Sequence, residues 1–161
     1  MYKMKIIKKT NEVYYCNGDL VFFDKKMKEF LVSKAKENFS GKCRICFHKD
    51  IKSPLHEMII IHSKKSYVPP HRHLKNSESL TILQGSADLI IFDRKGNIVK
   101  KVLLPDQKNG VNFYRMNKST FHSLIIKSKY LIFHEITRGP FVKKNMIVAK
   151  WENLFKKKYF K

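Results

Sequence analysis

Hydrophobic and polar residues alternate along most of the chain, in short runs separated by turn residues. Because successive strand residues point to opposite faces of a sheet, this alternation predicts β-strands. We predict strands over residues 43–48, 56–62, 66–73, 78–83, 87–93, 97–104, 112–116, 121–127 and 130–137. Gln84-Gly85 and Asp93-Arg94-Lys95-Gly96 are the clearest turns between them. Strands joined by tight turns form antiparallel sheets, and about nine of them can close into a barrel without exposed edges.

The segment before residue 41 contains two further predicted elements. Val13-Tyr14-Tyr15 and Leu20-Val21-Phe22-Phe23 are strand candidates on either side of the turn signal Asn17-Gly18-Asp19, and together they predict a small hairpin. From Asp24, a favoured N-cap residue, apolar residues recur at helical spacing, which predicts a helix over 24–38. These apolar residues are Met27, Phe30, Leu31 and Ala35.

The C-terminal segment from Trp151 carries three consecutive lysines, Lys156-Lys157-Lys158, near its end, and we predict a frayed tail there. We expect the hairpin and helix (1–40) to pack on a barrel (41–150), which the tail (151–161) follows. A chain of 161 residues suits one hydrophobic core, so we expect the three parts to form a single domain.

The net charge of +21 raises the question of nucleic-acid binding, since clustered basic residues release counterions when they meet phosphates. Only five of the 34 basic residues are arginines, and the lysines are scattered, which is typical of a solvated surface. We therefore predict no specific nucleic-acid partner, but an attraction for anionic small molecules. The chain has no apolar run of the roughly 18 to 20 residues that span a bilayer, and its N-terminus lacks the apolar stretch of a signal peptide. We expect a cytoplasmic protein without a membrane span.

Three cysteines form an odd set without the spacing of a disulfide framework, which is typical of a reducing compartment. Cys43-Arg44-Ile45-Cys46 is a lone CxxC sequence. It lies in a strand-like run, so its two thiols should point to opposite faces. A zinc or redox site needs its thiols together, and we expect none here.

The residues that indicate chemistry begin with His71-Arg72-His73 at the end of a predicted strand. The two imidazoles of this sequence should share one face, while Arg72 points to the other. Glu78 follows after a polar turn and begins the next strand, where antiparallel pairing would bring it back beside the two histidines. His122 begins a later strand. Three histidines and a glutamate that converge in this way are hard to bury without a metal ion.

The string PxHxHx4Ex6G, followed by a distant histidine, resembles the two cupin motifs. The resemblance implies an all-β fold, the cupin double-stranded β-helix or jelly-roll barrel, here with a short N-terminal hairpin and one helix. It also implies that His71, His73, Glu78 and His122 bind a metal ion inside the barrel. The second motif is matched only in part, because Lys118-Ser119-Thr120 stands where cupins have Pro-x-Gly.

Four longer segments, with the cupin motif among them, resemble the WbuC family of cupin-fold metalloproteins over roughly residues 25–155. They are Arg44-Ile45-Cys46-Phe47-His48, Tyr67-Val68-Pro69-Pro70-His71-Arg72-His73, Leu89-Ile90-Ile91-Phe92-Asp93-Arg94-Lys95-Gly96 and Glu135-Ile136-Thr137-Arg138-Gly139-Pro140-Phe141. Members of that family are associated with bacterial surface-polysaccharide (O-antigen) gene clusters. The family is named for its fold and metal, so the resemblance implies a site more firmly than a reaction.

Further site residues are predicted around the metal ligands. Arg44 and His48 share a face because their separation is even, so they can line the mouth of the pocket. Only one of His134 and Glu135 can face inward, and the family-like pattern favours Glu135. We take His48 and Glu135 as candidate catalytic residues. Arg44, Tyr67 and Arg72 are candidate substrate contacts, although Tyr67, like Phe92, Phe113 and Phe133, also suits the core. We interpret His62 as a surface residue.

Three histidines and a glutamate suit one divalent ion of Zn, Fe, Mn, Ni or Co. Such an ion accepts five or six ligands, so positions remain for a substrate oxygen or water. The first hypothesis is an isomerase or epimerase that acts on a sugar or nucleotide sugar in surface-polysaccharide synthesis. The alternatives are a non-catalytic carbohydrate- or metabolite-binding cupin and an Fe-dependent dioxygenase. A homodimer is expected because cupins commonly pair through their sheets.

Overall fold

A computed structural model of the chain describes residues 5–105, 108, 110–117 and 119–160. Its strands are β1 (Lys5–Lys8), β2 (Val13–Asn17), β3 (Lys42–Cys46), β4 (Leu55–Ser63), β5 (His71–His73), β6 (Glu78–Gln84), β7 (Ala87–Phe92), β8 (Ile98–Leu104), β9 (Phe113–Met116), β10 (Phe121–Ile126), β11 (Tyr130–Arg138) and β12 (Met146–Val148). Its α-helices are α1 (Lys25–Glu37) and α2 (Glu152–Tyr159), and Lys143–Asn145 form a 3-10 turn.

The strands form two facing sheets. One has seven strands in the order β1-β2-β3-β4-β11-β6-β9, and the other has five in the order β12-β5-β10-β7-β8. Every pair is antiparallel except β2 with β3. The predicted all-β jelly-roll fold is confirmed, but its two sheets form a sandwich and do not close into a barrel, because β1, β9, β12 and β8 stay at sheet edges without a second ladder partner among the described residues. We call the side of each sheet that faces the other sheet its inner face.

The core between the sheets follows the predicted alternation, since every second residue of the central strands points inward. It includes Met58 and Ile60 of β4, Leu80 and Ile82 of β6, Leu89 of β7, Leu124 and Ile126 of β10, and Leu131 and Phe133 of β11. Burial of this contiguous apolar surface is the main favourable term that holds the sheets together. The run 66–73 is the one predicted strand that is largely wrong, because only its last three residues pair in β5.

Helix α1 confirms the prediction for residues 24–38. Asp24 is its N-cap, and its side chain accepts a hydrogen bond of 2.8 Å from the backbone N–H of Met27. Met27, Leu31 and Ala35 are buried against the outer face of β3 and β4, where Cys43, Ile45, Ile59 and Ile61 complete a second apolar cluster. Cys43 lies in this cluster and Cys46 in the core between the sheets, so the two thiols point apart as predicted.

The N-terminal hairpin exists, but its predicted boundaries are wrong. Its strands are β1 and β2, and the chain turns between them through Thr10, whose hydroxyl accepts from the backbone N–H groups of Glu12 and Val13. Residues 20–23 form no strand. The chain leaves the sheet after Asn17 because the second edge of β2 is already paired, in parallel, with β3.

The C-terminal segment is a helix rather than the predicted frayed tail. Phe155 of α2 is buried and packs edge-to-face on Phe92 of β7, with ring centroids 5.2 Å apart. Trp151 and Phe121 belong to the same outer cluster. None of the helices in the described part of the chain is long and apolar enough to cross a membrane.

Candidate metal centre

Three imidazoles meet on the inner face of the five-stranded sheet. His71 of β5 pairs in register with His122 of the neighbouring β10, and their ring centroids are 4.4 Å apart. His73, two residues further along β5, lies 5.1 Å from His71 and 5.9 Å from His122 by the same measure. One ring nitrogen from each of the three lies within 4.8 Å of the other two. The alternation of strand side chains therefore brings these three histidines together as predicted.

Backbone carbonyls orient two of these rings. The Nδ1 of His71 donates to the carbonyl of Pro69 at 2.8 Å, and the Nδ1 of His122 donates to the carbonyl of Thr120 at 3.0 Å. In both cases the Nε2 is left to face the cluster. A carbonyl that holds the outer ring nitrogen fixes the tautomer of a metal-binding histidine, so these contacts suit a ligand role.

Glu78, at the start of β6, reaches the imidazoles from the opposite sheet. Its carboxylate oxygens lie 3.2 Å from the Nε2 of His73 and 3.0 Å from the Nε2 of His122. Burial alone would raise the pKa of Glu78, but His122 and His73 hold it well below its usual range. The hydroxyl of Tyr114 on β9 donates to the same carboxylate at 3.2 Å. Glu78 is thus fixed as an anion beside the histidines.

The donor set fits a transition-metal ion. Imidazole nitrogens with one carboxylate are ligands that such ions accept. Burial, followed by His122, lowers the pKa of His71 to about 4, so this ring is neutral near pH 7 and keeps a free lone pair. His71 makes no ion pair with Glu78 in the described structure, so that carboxylate does not explain its inward position. A cation shared by the three imidazoles would explain it. A narrow crevice lies beside the cluster, lined in part by His73, Glu78 and His122.

Glu135 of β11 lies close to this cluster on the inner face of the seven-stranded sheet. It pairs in register with Leu80 and Met58, both of which belong to the core. Its carboxyl makes no hydrogen bond to the described residues, and burial, reinforced by the charge of Glu78, raises its pKa to about 8. His134 faces the other way and contacts Glu57 at 2.9 Å. The predicted inward orientation of Glu135 is confirmed, and its catalytic role stays a prediction.

His48 lies beyond the end of β3, further along the inner face. Its ring stacks on that of His56, with centroids 4.1 Å apart and planes 12° apart. His56 is in register with Thr137, and Thr137 with Glu78, so this histidine pair occupies the same row as the metal candidates. Burial, followed by the charge of His56, lowers the pKa of His48. The structure thus places His48 at the margin of the site, not beside the ligand cluster.

Comparison with known proteins adds a family to this geometry. The family described as "Domain of unknown function (DUF6016)" matches residues 23–104, half of the chain. The chain belongs to the DUF6016 family. The matched part of this DUF6016 protein runs from α1 to β8 and contains His71, His73 and Glu78, whereas His122 lies beyond it. No curated protein matches the sequence.

Several solved structures share the fold of the DUF6016 protein. Protein SO0799 from Shewanella oneidensis is 10% identical, with a TM-score of 0.53 over 68% of this chain and 70% of its own. The DMSP lyase DddQ from Ruegeria pomeroyi is 15% identical, with a TM-score of 0.51 over 69% of this chain and 52% of the lyase. CapF is 8% identical, with a TM-score of 0.52 over 66% of this chain and 31% of CapF. The DUF6016 protein thus spans about half of the lyase and a third of CapF, and these likenesses show its cupin-type fold alone.

Two of the predicted substrate contacts, Arg72 and Tyr67, lie away from the imidazoles. The side chain of Arg72 lies on the outer face of β5, because Arg72 alternates with His71 and His73. Its guanidinium carbon lies 4.9 Å from the centre of the Phe121 ring. The Tyr67 hydroxyl donates to the carboxylate of Glu152 on α2, and this tyrosine packs with the outer cluster. Neither side chain faces the imidazoles.

His62 and Phe113 are also placed differently from their predictions. The ring of His62 contacts Phe133 edge-on at 5.3 Å on the inner face, and its Nδ1 is enclosed without a hydrogen-bond partner in the described structure. It is therefore not a surface residue. Phe113 is half exposed because it lies on the edge strand β9, whereas Phe92 and Phe133 are buried as expected. Lys118, in the position where cupins carry their second motif, lies outside the described residues.

Sequence reasoning missed three residues that surround the site: Tyr114, His56 and Tyr15. Each lies in a strand whose inward face becomes known only when its register with the neighbouring strand is known. For Tyr114 one signal was available, since it alternates with Met116 in a predicted strand. That alternation does not say which of the two faces points inward.

Proposed function

We propose that His71, His73, His122 and Glu78 hold one divalent metal ion, and that the protein is a metal-dependent enzyme. The observation that carries the proposal is the convergence of three inward imidazoles, two of which contact the buried carboxylate of Glu78. The ion would be Zn, Fe, Mn, Ni or Co, since all of them accept this donor set. When bound, it would supply a Lewis acid that polarises a carbonyl or hydroxyl of the substrate.

We propose a proton transfer of the isomerase or epimerase type, in which Glu135 moves the proton. A carboxyl with a pKa of about 8 gains and loses a proton readily near neutral pH, which is the property that a general acid or base needs. Its lack of a hydrogen-bond partner in the described structure leaves it available to a substrate.

The proposed substrate is a sugar or nucleotide sugar of bacterial surface-polysaccharide synthesis. Two arguments support it. The charge of +21 attracts anionic molecules to the protein, and nucleotide sugars are anionic. The resemblance to the WbuC family adds the polysaccharide context. Both arguments concern the kind of molecule and leave the individual sugar open.

Metal binding is tested by elemental analysis of protein purified without added metal, followed by titration with Zn²⁺, Mn²⁺ and Co²⁺. We expect His71→Ala and His122→Ala each to weaken binding at least tenfold, because each removes one ligand. His134→Ala is the matched control, since this histidine lies on the outer face of β11. Equal affinity in all three variants would contradict the site.

Proton transfer is tested by incubating the metal-loaded protein with candidate nucleotide sugars in heavy water. We expect solvent deuterium at one sugar carbon, and a loss of at least about a hundredfold in its rate in Glu135→Gln, given the typical contribution of a general base. Sugar binding that needs the metal but brings no deuterium would favour the non-catalytic binding protein. Oxygen uptake with Fe(II) would instead identify the dioxygenase.

A further inference from the structure

The open part of the inner face lies along β2 and β3. Arg44 of β3 pairs in register with Ile60 on one side and Val13 on the other, and both of these contribute to the core between the sheets. Residues opposite one another in a ladder share a face, so the side chain of Arg44 lies on the inner face. It is nevertheless exposed, which shows that this part of the inner face is open to solvent.

Three polar side chains at this opening have a donor group without a hydrogen-bond or ion-pair partner among the described residues. The guanidinium of Arg44 and the hydroxyl of Tyr15 have no hydrogen bond or ion pair with the described residues, and the Nε2 of His48 also has none. Tyr15 contacts His48 edge-on, with ring centroids 5.6 Å apart. We call Tyr15, Arg44 and His48 the mouth cluster. All three groups can donate hydrogen bonds, and one carries a permanent positive charge.

The mouth cluster is electrostatically connected to the proposed site. Burial and the charge of Glu78 raise the pKa of Glu135, whereas the positive charge of Arg44 acts in the opposite sense. The guanidinium is therefore within electrostatic reach of that carboxyl. β3 and β6 are three strands apart in the sheet, which corresponds to about 14 Å between their backbones. A molecule that touches both the mouth cluster and the imidazoles must be longer than a single sugar ring.

We infer that the mouth cluster binds the diphosphate of an extended substrate, while the far end of that substrate lies at the imidazoles. The inference rests on the proposed function for the identity of the far end. A guanidinium presents two parallel N–H groups that match two phosphate oxygens, and Tyr15 and His48 add single donors beside it. Tyr15 comes from the N-terminal hairpin, outside residues 23–104. Specificity for the anion is thus supplied partly by a segment beyond the matched family region.

The test measures pyrophosphate binding by calorimetry at about 150 mM NaCl, where long-range attraction to the basic surface is largely screened. Pyrophosphate affinity is measured for the protein as purified and for its His122→Ala variant. In each of these two backgrounds, three single arginine substitutions are then compared. We expect Arg44→Gln to weaken binding at least tenfold in both backgrounds. Arg44→Lys should give an intermediate loss of about threefold, because it keeps the charge but not the fork. Arg94→Gln removes an exposed arginine elsewhere and should change affinity less than twofold.

Each outcome decides the inference. Equal losses in Arg44→Gln and Arg94→Gln would overturn it, since the surface charge alone would then explain binding. Binding that disappears in His122→Ala but is unchanged by Arg44→Gln would also overturn it and would place pyrophosphate at the metal centre. Binding of acetate as tight as that of pyrophosphate would exclude a diphosphate site. If metal uptake fails but the Arg44 dependence remains, the proposed function falls and the anion site stands.

Discussion

The phenol of Tyr114 ties the candidate metal centre to the edge strand β9. Its hydroxyl donates to Glu78, and burial, with the charge of Glu78 as the next cause, raises the pKa of this tyrosine well above its usual value. The hydroxyl therefore stays protonated and remains a donor to the carboxylate throughout the pH range in which the protein is handled. A fixed donor of this kind orients the carboxylate before any ion arrives.

Replacement of Tyr114 by Phe keeps the ring and removes only this hydrogen bond. We expect metal affinity to fall roughly tenfold, the usual effect of losing a partner behind a metal ligand. Competition with a chromophoric chelator measures the change. Tyr159→Phe, on the exposed surface of α2, is the control and should bind metal like the natural protein. An unchanged affinity in Tyr114→Phe would show that Glu78 needs no support from β9.

His62 makes the stability of the protein depend on pH. Burial, followed by the charges of Lys42 and Arg44, lowers its pKa from 6.5 to about 3. The unfolded chain takes up a proton near pH 6.5, whereas the folded protein does so only near pH 3. Between these values the unfolded state binds more protons, so the free energy of unfolding falls as the pH is lowered.

The substitution His62→Gln removes this contribution. We expect the free energy of unfolding to fall less steeply in the variant, by about 1.4 kcal/mol for each pH unit within that window. Urea denaturation at pH 7, 6, 5 and 4 provides both curves. The comparison concerns their slopes, so a constant loss of stability in the variant does not affect it. Parallel curves would mean that His62 titrates as it does in the unfolded chain.

At the scale of elements, helix α2 is held by one buried side chain. Phe155 packs between Phe92 and Phe160, whereas its neighbour Leu154 is 71% exposed. We expect Phe155→Ala to lower the free energy of unfolding by about 3 kcal/mol, as large-to-small changes in aromatic clusters do. Leu154→Ala should change it by less than about 0.5 kcal/mol. Chemical denaturation of the two variants tests this, and similar midpoints would show that α2 contributes little to the fold.

The sandwich strands could be predicted from the sequence because period-two alternation is repeated over residues 42–138. Helix α2 could not, since a short segment with three lysines has little apolar surface of its own and depends on the cluster around Phe92. The hairpin boundaries were misplaced because Asn17-Gly18 is a strong turn signal. In the folded chain, β2 instead uses its free edge to pair with β3.

The candidate metal ligands could be predicted from the sequence more completely than the residues around them. His71, His73 and Glu78 are close in the sequence, and alternation with one tight return of the chain brings them together. Arg72 was predicted as a substrate contact, but the same alternation places its side chain on the outer face, since it stands between two inward histidines. Tyr114 and His56 reach the site through the pairing of strands distant in sequence, and no local pattern reveals such a register.

On the scale of the whole molecule, the charge of +21 opposes the compact state. Most of the described lysines are exposed, and the described ion pairs involve few of them. We therefore expect the melting temperature to rise by several degrees between about 20 mM and 500 mM NaCl, because added salt screens the repulsion between lysines. Differential scanning calorimetry measures the change. A melting temperature that falls with salt would mean that favourable ion pairs outweigh this repulsion.

The assembly and location of the protein stay predictions from the sequence. We propose a homodimer in the cytoplasm, and analytical ultracentrifugation at low and high salt tests the first part. Each protomer carries a large positive charge, so a dimer should dissociate more readily at low salt. A monomer at every concentration and salt level would exclude the pairing.

Strand β5 is three residues long, and it joins β10 through the single residue pair of His71 with His122. The ladder between β5 and β10 is short, so β5, together with β12, which pairs with all three of its residues, can separate from β10 at a lower free energy than the longer strands separate from one another. Such a local opening would carry His71 and His73 away from His122 together. The uptake and loss of an ion would then follow the motion of this edge of the five-stranded sheet, while the rest of the two sheets stays folded.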